Sequence, residues 1–223
     1  ASDVYKRQHH NDAKRALIQS VTKEGYHILD VGSGFGGDLM KWKNCGAYIN
    51  MCEPRQESLD ECKSRAKNMK IRANFYLGDI TKCPKRQFDV ICYNFSLHYI
   101  FESKKLFDIS MREIKHRMRP GGMFIGIIPD SEKIIFKTPL EDELGNYFIM
   151  DENSGYGNYG EKLKVKLVET PYYANGEVPE PIGYRDILIT RMTEMGFTLV
   201  LWEGLTGSKI SELYSKFIFV YKR

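Results

Sequence analysis

The feature that most constrains this fold is a short apolar segment that runs into a glycine-rich turn, residues 28–39. Within it, Gly32, Gly34 and Gly37 have the spacing G-x-G-x-x-G. Glycine adopts positive φ freely and lets a ligand approach the backbone, as happens where a strand of a nucleotide-binding α/β sheet turns into a helix. The segment therefore predicts an α/β fold with a ligand at this turn. The glycine spacing alone does not identify the ligand, because dinucleotide-binding proteins share it.

An acidic residue at the same turn narrows the choice of ligand. Asp30 stands two positions before Gly32. A carboxylate there attracts an ammonium group and repels a pyrophosphate. S-adenosylmethionine (SAM) carries an ammonium group and NAD does not, so a SAM site is favoured over the NAD site of a dehydrogenase. A tight turn that binds nothing is the remaining alternative.

Up to about residue 130, the apolar residues alternate between helical and strand periodicity. This alternation predicts a parallel sheet with helices on both faces. A helix at 184–195 and two closing strands, 197–202 and 217–221, predict an antiparallel hairpin at the end. The expected fold class is α/β, a doubly wound, mostly parallel seven-stranded sheet of the Rossmann-like type. The earlier strands are predicted at 27–31, 47–52, 74–77, 88–94 and 123–128, and the earlier helices at about 3–23, 36–42, 56–69 and 105–118.

The pattern breaks between about residues 130 and 182. This stretch is rich in aromatic residues and glycine, as at 155–160, and shows no helix–strand alternation. From 162 to 167, lysine alternates with leucine or valine, which predicts an amphipathic strand. We therefore expect one domain, residues 1–223, with an inserted lid or small β-subdomain at about 130–182, beyond the carboxyl ends of the strands.

Composition excludes several classes of protein. The five cysteines are scattered and form no C-x-x-C pair, which argues against a disulfide framework or a zinc site and favours a reducing compartment. No apolar run approaches the roughly 20 residues that cross a bilayer, and no signal-peptide pattern opens the chain. The net charge of +4 permits an anionic partner without requiring one. Because residue 1 falls directly before a charged helical pattern, we also expect the chain to be a segment of a longer protein.

Two acidic residues close the second and third predicted strands. In doubly wound sheets, ligands bind outside the carboxyl ends of the strands. Glu53 is placed to accept hydrogen bonds from both ribose hydroxyls of a nucleoside, and Asp79 to accept one from an adenine amino group. Taken singly, they could be a surface acid and a turn-forming aspartate. Together with the glycine turn they predict a SAM site, but they do not identify the methyl acceptor.

The fourth predicted strand ends in an aromatic cluster, residues 94–99. Its Phe95, His98 and Tyr99 could stack on a base and hydrogen-bond its edge. The alternative is a buried aromatic cluster with a satisfied histidine. The segment lacks the [DNS]-P-P-[YFW] run of amino-group methyltransferases, which argues against adenine N6 as the acceptor.

Across nearly its whole length, the chain resembles the mRNA cap (guanine-N7) methyltransferases, which have the class I SAM-dependent methyltransferase fold. Residues 10–18 resemble the family's N-N-x-x-K-x-x-L-I helix, 29–41 its L-D-L-G-C-G-K-G-G-D-L-x-K signature, and 88–103 its F-D-V run ending in L-H-Y-x-F-E-S. Further matches are the strand at 121–130, the late P-E motif at 178–180 and the closing tyrosine and strand at 212–222. The compact loops look most like the methyltransferase module of a capping enzyme from a large cytoplasmic DNA virus.

The resemblance implies two sets of binding residues and no metal. SAM, leaving as S-adenosylhomocysteine, would be held by Lys14 at its methionine carboxylate and by Gly32, Glu53, Asp79, Asn94 and Tyr99. Reasoning from the turn and the strand ends adds Asp30, Gly34 and Phe95 to this cofactor set. The cap would be bound by His10, Asn11, Asp38, Arg65, His98, Glu180 and Tyr214.

Two positions depart from the family pattern. Glu53 stands where the family usually has the shorter aspartate, and Phe35 replaces the signature lysine. The second change puts a direct phosphate contact at position 35 in doubt. Arg65, in a helix with Lys63, Lys67 and Lys70, is the candidate to replace that contact, and a solvated helix face is the alternative.

The expected chemistry is methyl transfer without a catalytic residue. Guanine N7 has an accessible lone pair and no proton, so the reaction needs no general base. We expect Glu180 to accept from guanine N1–H and N2–H₂, His98 to donate to O6, and an aromatic face to stack on the ring. A SAM-dependent methyltransferase of a small molecule and a non-catalytic SAM- or RNA-binding module remain open.

The expected partner is the GpppN 5′ end of mRNA. Triphosphatase and guanylyltransferase activities would be fused to this chain or associated with it. The expected compartment is the cytoplasm, with its viral factories or virions, for a viral enzyme, and the nucleus for a cellular one.

Overall fold

The computed structural model describes residues 2–152, 157–168 and 173–222, the first six of them by backbone alone. Residues 155 and 156 of the predicted glycine- and aromatic-rich patch therefore lie outside the described residues. The helices are α1 Ser2–Val21, α2 Leu39–Asn44, α3 Gln56–Asn68, α4 Lys104–His116, α5 Ser131–Lys137 and α6 Arg185–Glu194. The strands are β1 His27–Val31, β2 Tyr48–Glu53, β3 Ala73–Leu77, β4 Phe88–Asn94, β5 Met118–Pro129, β6 Leu140–Glu141, β7 Tyr147–Met150, β8 Lys162–Lys166, β9 Val178–Pro181, β10 Phe197–Gly204 and β11 Tyr214–Tyr221.

Seven strands form the main sheet, in the order β10-β11-β5-β4-β1-β2-β3. The strands from β3 to β5 are parallel, and β11 runs antiparallel to β5 and β10. All seven residues of β4 are buried, as a strand covered on both faces requires. The doubly wound sheet and its closing hairpin confirm the predicted fold class.

The second sheet lies within the segment that breaks the sequence pattern. It has four antiparallel strands in the order β6-β7-β8-β9. Leu163 and Val165 of β8 are buried, and Leu163 pairs with Glu180 of β9. Because partners in a ladder share a face of the sheet, Glu180 lies on the buried face with these apolar residues.

Two predictions about local structure were wrong. The segment after residue 129 contains a helix, α5, which begins where the Asp130 carboxylate accepts from the Glu132 N–H at 3.1 Å. A helix this short shows too little periodicity to be recognised. The strand predicted at 123–128 begins earlier, at Met118, because the Pro-Gly-Gly sequence at 120–122, which is typical of a turn, lies inside β5, where an irregularity in the pairing with β4 absorbs it as a bulge.

Helix α1 brings the N-terminal residues to the ligand-binding edge of the sheet. Leu17 and Ile18 are buried, and α1 packs against α2 and β5. His10 and Lys14 of the same helix therefore lie beside the carboxyl ends of the central strands. Among the described helices, none is both long and apolar enough to cross a membrane.

Candidate functional site

A cavity of about 800 Å³ lies at the carboxyl ends of β1, β2, β3 and β4. Every residue that the sequence predicts to bind SAM or the cap lines this cavity. The structure thus brings both predicted sets together. It also adds Tyr173, Arg55 and Leu167, which the sequence did not single out.

The glycine turn lies against the end of β4. Gly32 has φ +78°, and a Cβ atom built there would lie 2.6 Å from Ser96 Cβ. The Ser96 hydroxyl donates to the Val31 carbonyl at 2.7 Å, which fixes the two strand ends together. Only glycine fits between them.

Glu53 is held by the backbone around it and is only 6% exposed. One carboxylate oxygen accepts from the Gly34 N–H at 3.1 Å and the other from the Arg55 N–H at 2.7 Å. A carboxylate has about four acceptor positions, so roughly one on each oxygen is left for a ligand. This arrangement fits two ribose hydroxyls.

Asp79 follows β3 and serves a local role as well as lining the cavity. Its carboxylate accepts from the backbone N–H of Thr81 at 2.9 Å and from the Thr81 hydroxyl, which caps a short 3-10 turn. The turn-forming role and the ligand-facing position therefore occur in one residue.

Asp30 lines the cavity, but its carboxylate is bonded inside the protein. It accepts from Trp42 Nε1–H at 3.0 Å, which ties α2 to the end of β1. Burial, together with the nearby Asp38 charge, raises the pKa of Asp30 to about 7. Direct contact between Asp30 and an ammonium group stays a prediction.

Asp38 lies between two lysines. Its Oδ1 is 2.9 Å from both Lys14 Nζ and Lys41 Nζ. Burial alone would raise the pKa of Asp38, but the two ammonium groups hold it below its usual value. Lys41 also donates to the Asn11 amide oxygen at 3.3 Å. In this structure Asp38 orients Lys14, and its predicted contact with the cap stays a prediction.

Asn94 and His98 each have a buried polar atom on the cavity wall that finds no hydrogen-bond partner within the described part of the chain. The Asn94 amide donates to Asp38 at 3.4 Å, which leaves its Oδ1 as an acceptor. His98 Nδ1 is likewise unbonded. Buried polar atoms are normally hydrogen-bonded, so both atoms fit a polar ligand in the cavity.

Glu180 of β9 is only 3% exposed, and its donors come from the turn after β4 and from the connection between β8 and β9. His98 Nε2 lies 3.2 Å from Oε2, and the Tyr99 and Tyr173 hydroxyls donate to Oε1 at 2.9 and 2.5 Å. Burial alone would raise the pKa of Glu180, but the His98 charge and these hydrogen bonds lower it. The group is therefore a carboxylate acceptor on the cavity wall.

An aromatic cluster forms the wall next to α1. The Phe95 ring lies 5.1 Å from both the His10 and Tyr214 rings, measured between centroids. Phe95 has φ +60°, a strained conformation for a bulky residue and one found most often at functional sites. The cluster offers apolar faces to a ring-shaped ligand.

Phe35, which replaces the family's lysine, lies beside a cation. The guanidinium of Arg65 is 5.8 Å from the centroid of the Phe35 ring. Arg65 also forms an exposed ion pair with Glu61 at 3.1 Å. Both Phe35 and Arg65 line the cavity, so the structure places a positive charge near the position where the family has one.

Tyr173 was missed because it belongs to none of the motifs that the sequence shows. It lies in the connection between β8 and β9 and joins Glu180 only through the folded second sheet. The only signal was its place in an aromatic stretch shortly before the P-E motif.

Comparison with known proteins identifies relatives of one kind. A family profile described as "mRNA (guanine-N(7))-methyltransferase domain" matches residues 1–201. The mRNA cap guanine-N(7) methyltransferase of Caenorhabditis elegans is 30% identical over 187 residues, which cover 76% of this chain and 45% of that protein. That of Candida glabrata is 29% identical over 200 residues, 82% of this chain and 46% of that protein. The chain thus spans less than half the length of these relatives.

Solved structures share the fold at low sequence identity. A protein from Pyrococcus horikoshii is 14% identical with a TM-score of 0.71, covering 95% of this chain and 89% of that one. A 1,6-didemethyltoxoflavin-N1-methyltransferase from Burkholderia thailandensis, solved with S-adenosylhomocysteine, is 15% identical with a TM-score of 0.66, covering 99% and 82%. The chain has the Rossmann-like fold of the class I SAM-dependent methyltransferases.

Proposed function

The chain belongs to the mRNA (guanine-N7) methyltransferase family, and on that premise we propose that it methylates guanine N7 of the GpppN cap with SAM as the donor. The observation that carries the proposal is the position of Glu180. Its buried carboxylate opens onto the same cavity as the glycine turn, Glu53 and Asp79. A methyltransferase of small molecules needs the donor site but has no need of a carboxylate matched to guanine.

The residues around the glycine turn fit the methyl donor. Glu53 would accept from the ribose hydroxyls, Asp79 from the adenine amino group, and Lys14 would pair with the methionine carboxylate. The unbonded Asn94 oxygen is an acceptor for the ammonium group. When bound, SAM supplies an electrophilic methyl group on a sulfonium sulfur.

The guanine would be read by the residues of β9 and of the turn after β4. Guanine presents N1–H beside N2–H₂, and a carboxylate accepts from two such adjacent donors in one plane. Glu180 provides this pair of acceptors. His98 already approaches Glu180 through Nε2, so donation from Nδ1 to guanine O6 requires the doubly protonated ring.

Orientation and electrostatics account for the catalysis. N7 carries no proton, so no side chain has to remove one, and the protein's task is to hold N7 in line with the methyl group. Such alignment supplies up to about 7–11 kcal/mol. The transfer leaves positive charge on guanine, which the Glu180 carboxylate stabilises.

The substrate implies earlier steps. A GpppN end is made by removing a phosphate from the transcript and adding GMP, so we propose that a triphosphatase and a guanylyltransferase act before this chain, fused to it or associated with it. The corresponding compartment is the one in which the transcript is capped, the nucleus for a cellular enzyme and the cytoplasm for a cytoplasmic virus.

A pair of glutamate substitutions tests the role of Glu180. Losing one partner of a buried charge-assisted pair costs about 2–5 kcal/mol. Glu180→Ala should therefore lower kcat/KM for GpppA-RNA by roughly 30- to 5,000-fold, at about 1.4 kcal/mol per tenfold. SAM binding, measured by calorimetry, should persist because other strand ends hold the donor.

Glu177→Ala is the matched control. Glu177 lies three residues before Glu180, is exposed and bonds Tyr147 away from the cavity. Its removal should leave methylation unchanged. Near-normal methylation by Glu180→Ala would discard the guanine-reading role.

A further inference from the structure

Glu180 accepts more hydrogen bonds than its role in reading guanine allows. A carboxylate oxygen offers about two acceptor positions. Oε1 already receives the Tyr99 and Tyr173 hydroxyls, while within the described part of the chain Oε2 receives His98 alone. A guanine edge that donates to both oxygens finds a free position on Oε2 and none on Oε1.

One of the two tyrosines must therefore leave Oε1 when guanine binds. Tyr99 is held from a second direction, because its ring lies 4.2 Å from the His98 ring, centroid to centroid. It also belongs to the 3-10 turn that follows β4 in the main sheet. Tyr173 lies in the connection between β8 and β9, outside either strand. Tyr99 is the more exposed of the two, at 45%, and Tyr173 packs partly against the core. Tyr99, however, is also assigned to SAM by the family resemblance, so Tyr173 is the tyrosine whose hydroxyl can give up its place on Oε1 without disturbing the donor site.

We propose that Tyr173 is a built-in competitor of guanine. Its hydroxyl occupies the acceptor position on Glu180 that the second guanine donor needs, and it leaves when a base with two adjacent donors binds. Tyr173 thus sets how much binding free energy a base must supply at Glu180. This inference rests on the proposed function, since it requires Glu180 to read the cap.

The competition acts differently on guanine and hypoxanthine. An inosine cap has N1–H but lacks the N2 amino group, so it donates once and can use Oε2 with Tyr173 in place. A guanine cap donates twice and must displace the phenol. Removing the Tyr173 hydroxyl therefore favours the guanine cap alone.

The test measures the affinity of Tyr173→Phe for GpppA and IpppA by calorimetry, with S-adenosylhomocysteine present. The substitution keeps the ring and removes the donor. We expect the Kd for GpppA to fall about tenfold, equivalent to about 1.4 kcal/mol, and the Kd for IpppA to stay unchanged. Tyr147→Phe is the control, since it removes another tyrosine–glutamate hydrogen bond in the second sheet, outside the cavity. It should change neither Kd.

Three results would separate the possible failures. Weaker binding of both caps by Tyr173→Phe would show that Tyr173 positions Glu180 and does not compete, and unchanged binding of both would show that the hydroxyl does not matter. Either result overturns the inference and leaves the proposed function standing. If the unaltered protein binds GpppA no better than ApppA, the proposed function itself fails and this inference fails with it.

Discussion

At the scale of single residues, the cavity depends on contacts that leave no room for an extra atom. Gly32 is the clearest case, because both its positive φ and the nearness of Ser96 exclude a side chain. Strand-end acids such as Glu53 and Asp79 line the same cavity. Substitutions here test whether the turn holds the methyl donor.

Gly32→Ala should reduce SAM affinity about tenfold or more, a loss of about 1.4 kcal/mol or more. The new Cβ would lie 2.6 Å from Ser96 Cβ, so the turn must shift. Gly25→Ala is the control, since Gly25 also has positive φ, +84°, but has nothing within 4 Å of the added Cβ. Calorimetry measures the SAM affinity of both variants once each is shown to be folded. Equal SAM affinities for the two would remove the glycine turn from the donor site.

Asp30→Asn should change how stability depends on pH. The pKa of Asp30 is raised from 3.8 to about 7 in the folded protein, chiefly by burial. The folded state therefore holds its proton more tightly than the unfolded state. The stability that the protonated Asp30 carboxyl group contributes is complete below pH 3.8 and is lost as the pH rises to about 7. Asparagine does not ionise and keeps an oxygen for Trp42 Nε1–H.

Urea unfolding at a series of pH values measures this difference. Between pH 3.8 and about 7, the free energy of unfolding of the wild type should fall relative to that of Asp30→Asn. If the unfolding free energies of the two proteins followed the same dependence on pH, Asp30 would have the same pKa in the folded and unfolded states. That result would contradict the raised pKa of the buried Asp30.

These residues show what sequence could predict at this scale. Gly32, Glu53 and Glu180 follow strand ends or a specific motif, so their place on the cavity was predictable. The bond between Asp30 and Trp42 and the contact of Tyr173 with Glu180 were not. Both depend on how separate elements pack, which residue spacing does not encode.

At the scale of elements, α3 carries the charge that is expected to meet the cap phosphates. Arg65 of this helix faces the cavity beside Phe35, while Lys67 is exposed on the same helix and does not line the cavity. The two residues therefore separate a phosphate contact from a solvated basic face.

Arg65→Ala should weaken the binding of capped RNA. It should also make the slope of log K against log salt concentration shallower by about one unit, because one phosphate contact and its counterion release are lost. Lys67→Ala removes the same charge from the same helix and should have little effect. Affinities measured over a range of salt concentrations distinguish them. Equal effects of the two substitutions would favour the solvated face and leave the missing lysine at position 35 uncompensated.

The elements themselves were predictable where their periodicity was long. The strands β1 and β4 lie where the apolar runs predict them. Helix α5 and the bulge in β5 escaped prediction, because a short helix and a Pro-Gly-Gly insertion look like loop from sequence.

At the scale of the whole molecule, the site is divided between two sheets. The seven-stranded sheet supplies the donor-binding edge, and β9 of the second sheet supplies Glu180, 82 positions along the chain from its partner His98. Alternating helices and strands predict the first sheet, but nothing in the inserted segment predicts how closely the second approaches it. The proposed function depends on one claim, that a guanine cap and SAM meet in this cavity.

Incubating the protein with methyl-labelled SAM and GpppA-capped RNA, then digesting the RNA and identifying the labelled nucleoside, tests that claim most directly. We expect the label in 7-methylguanosine of the cap and none on ApppA-capped RNA. Label on the ribose or on the adenine, or equal labelling of the ApppA end, would contradict that claim.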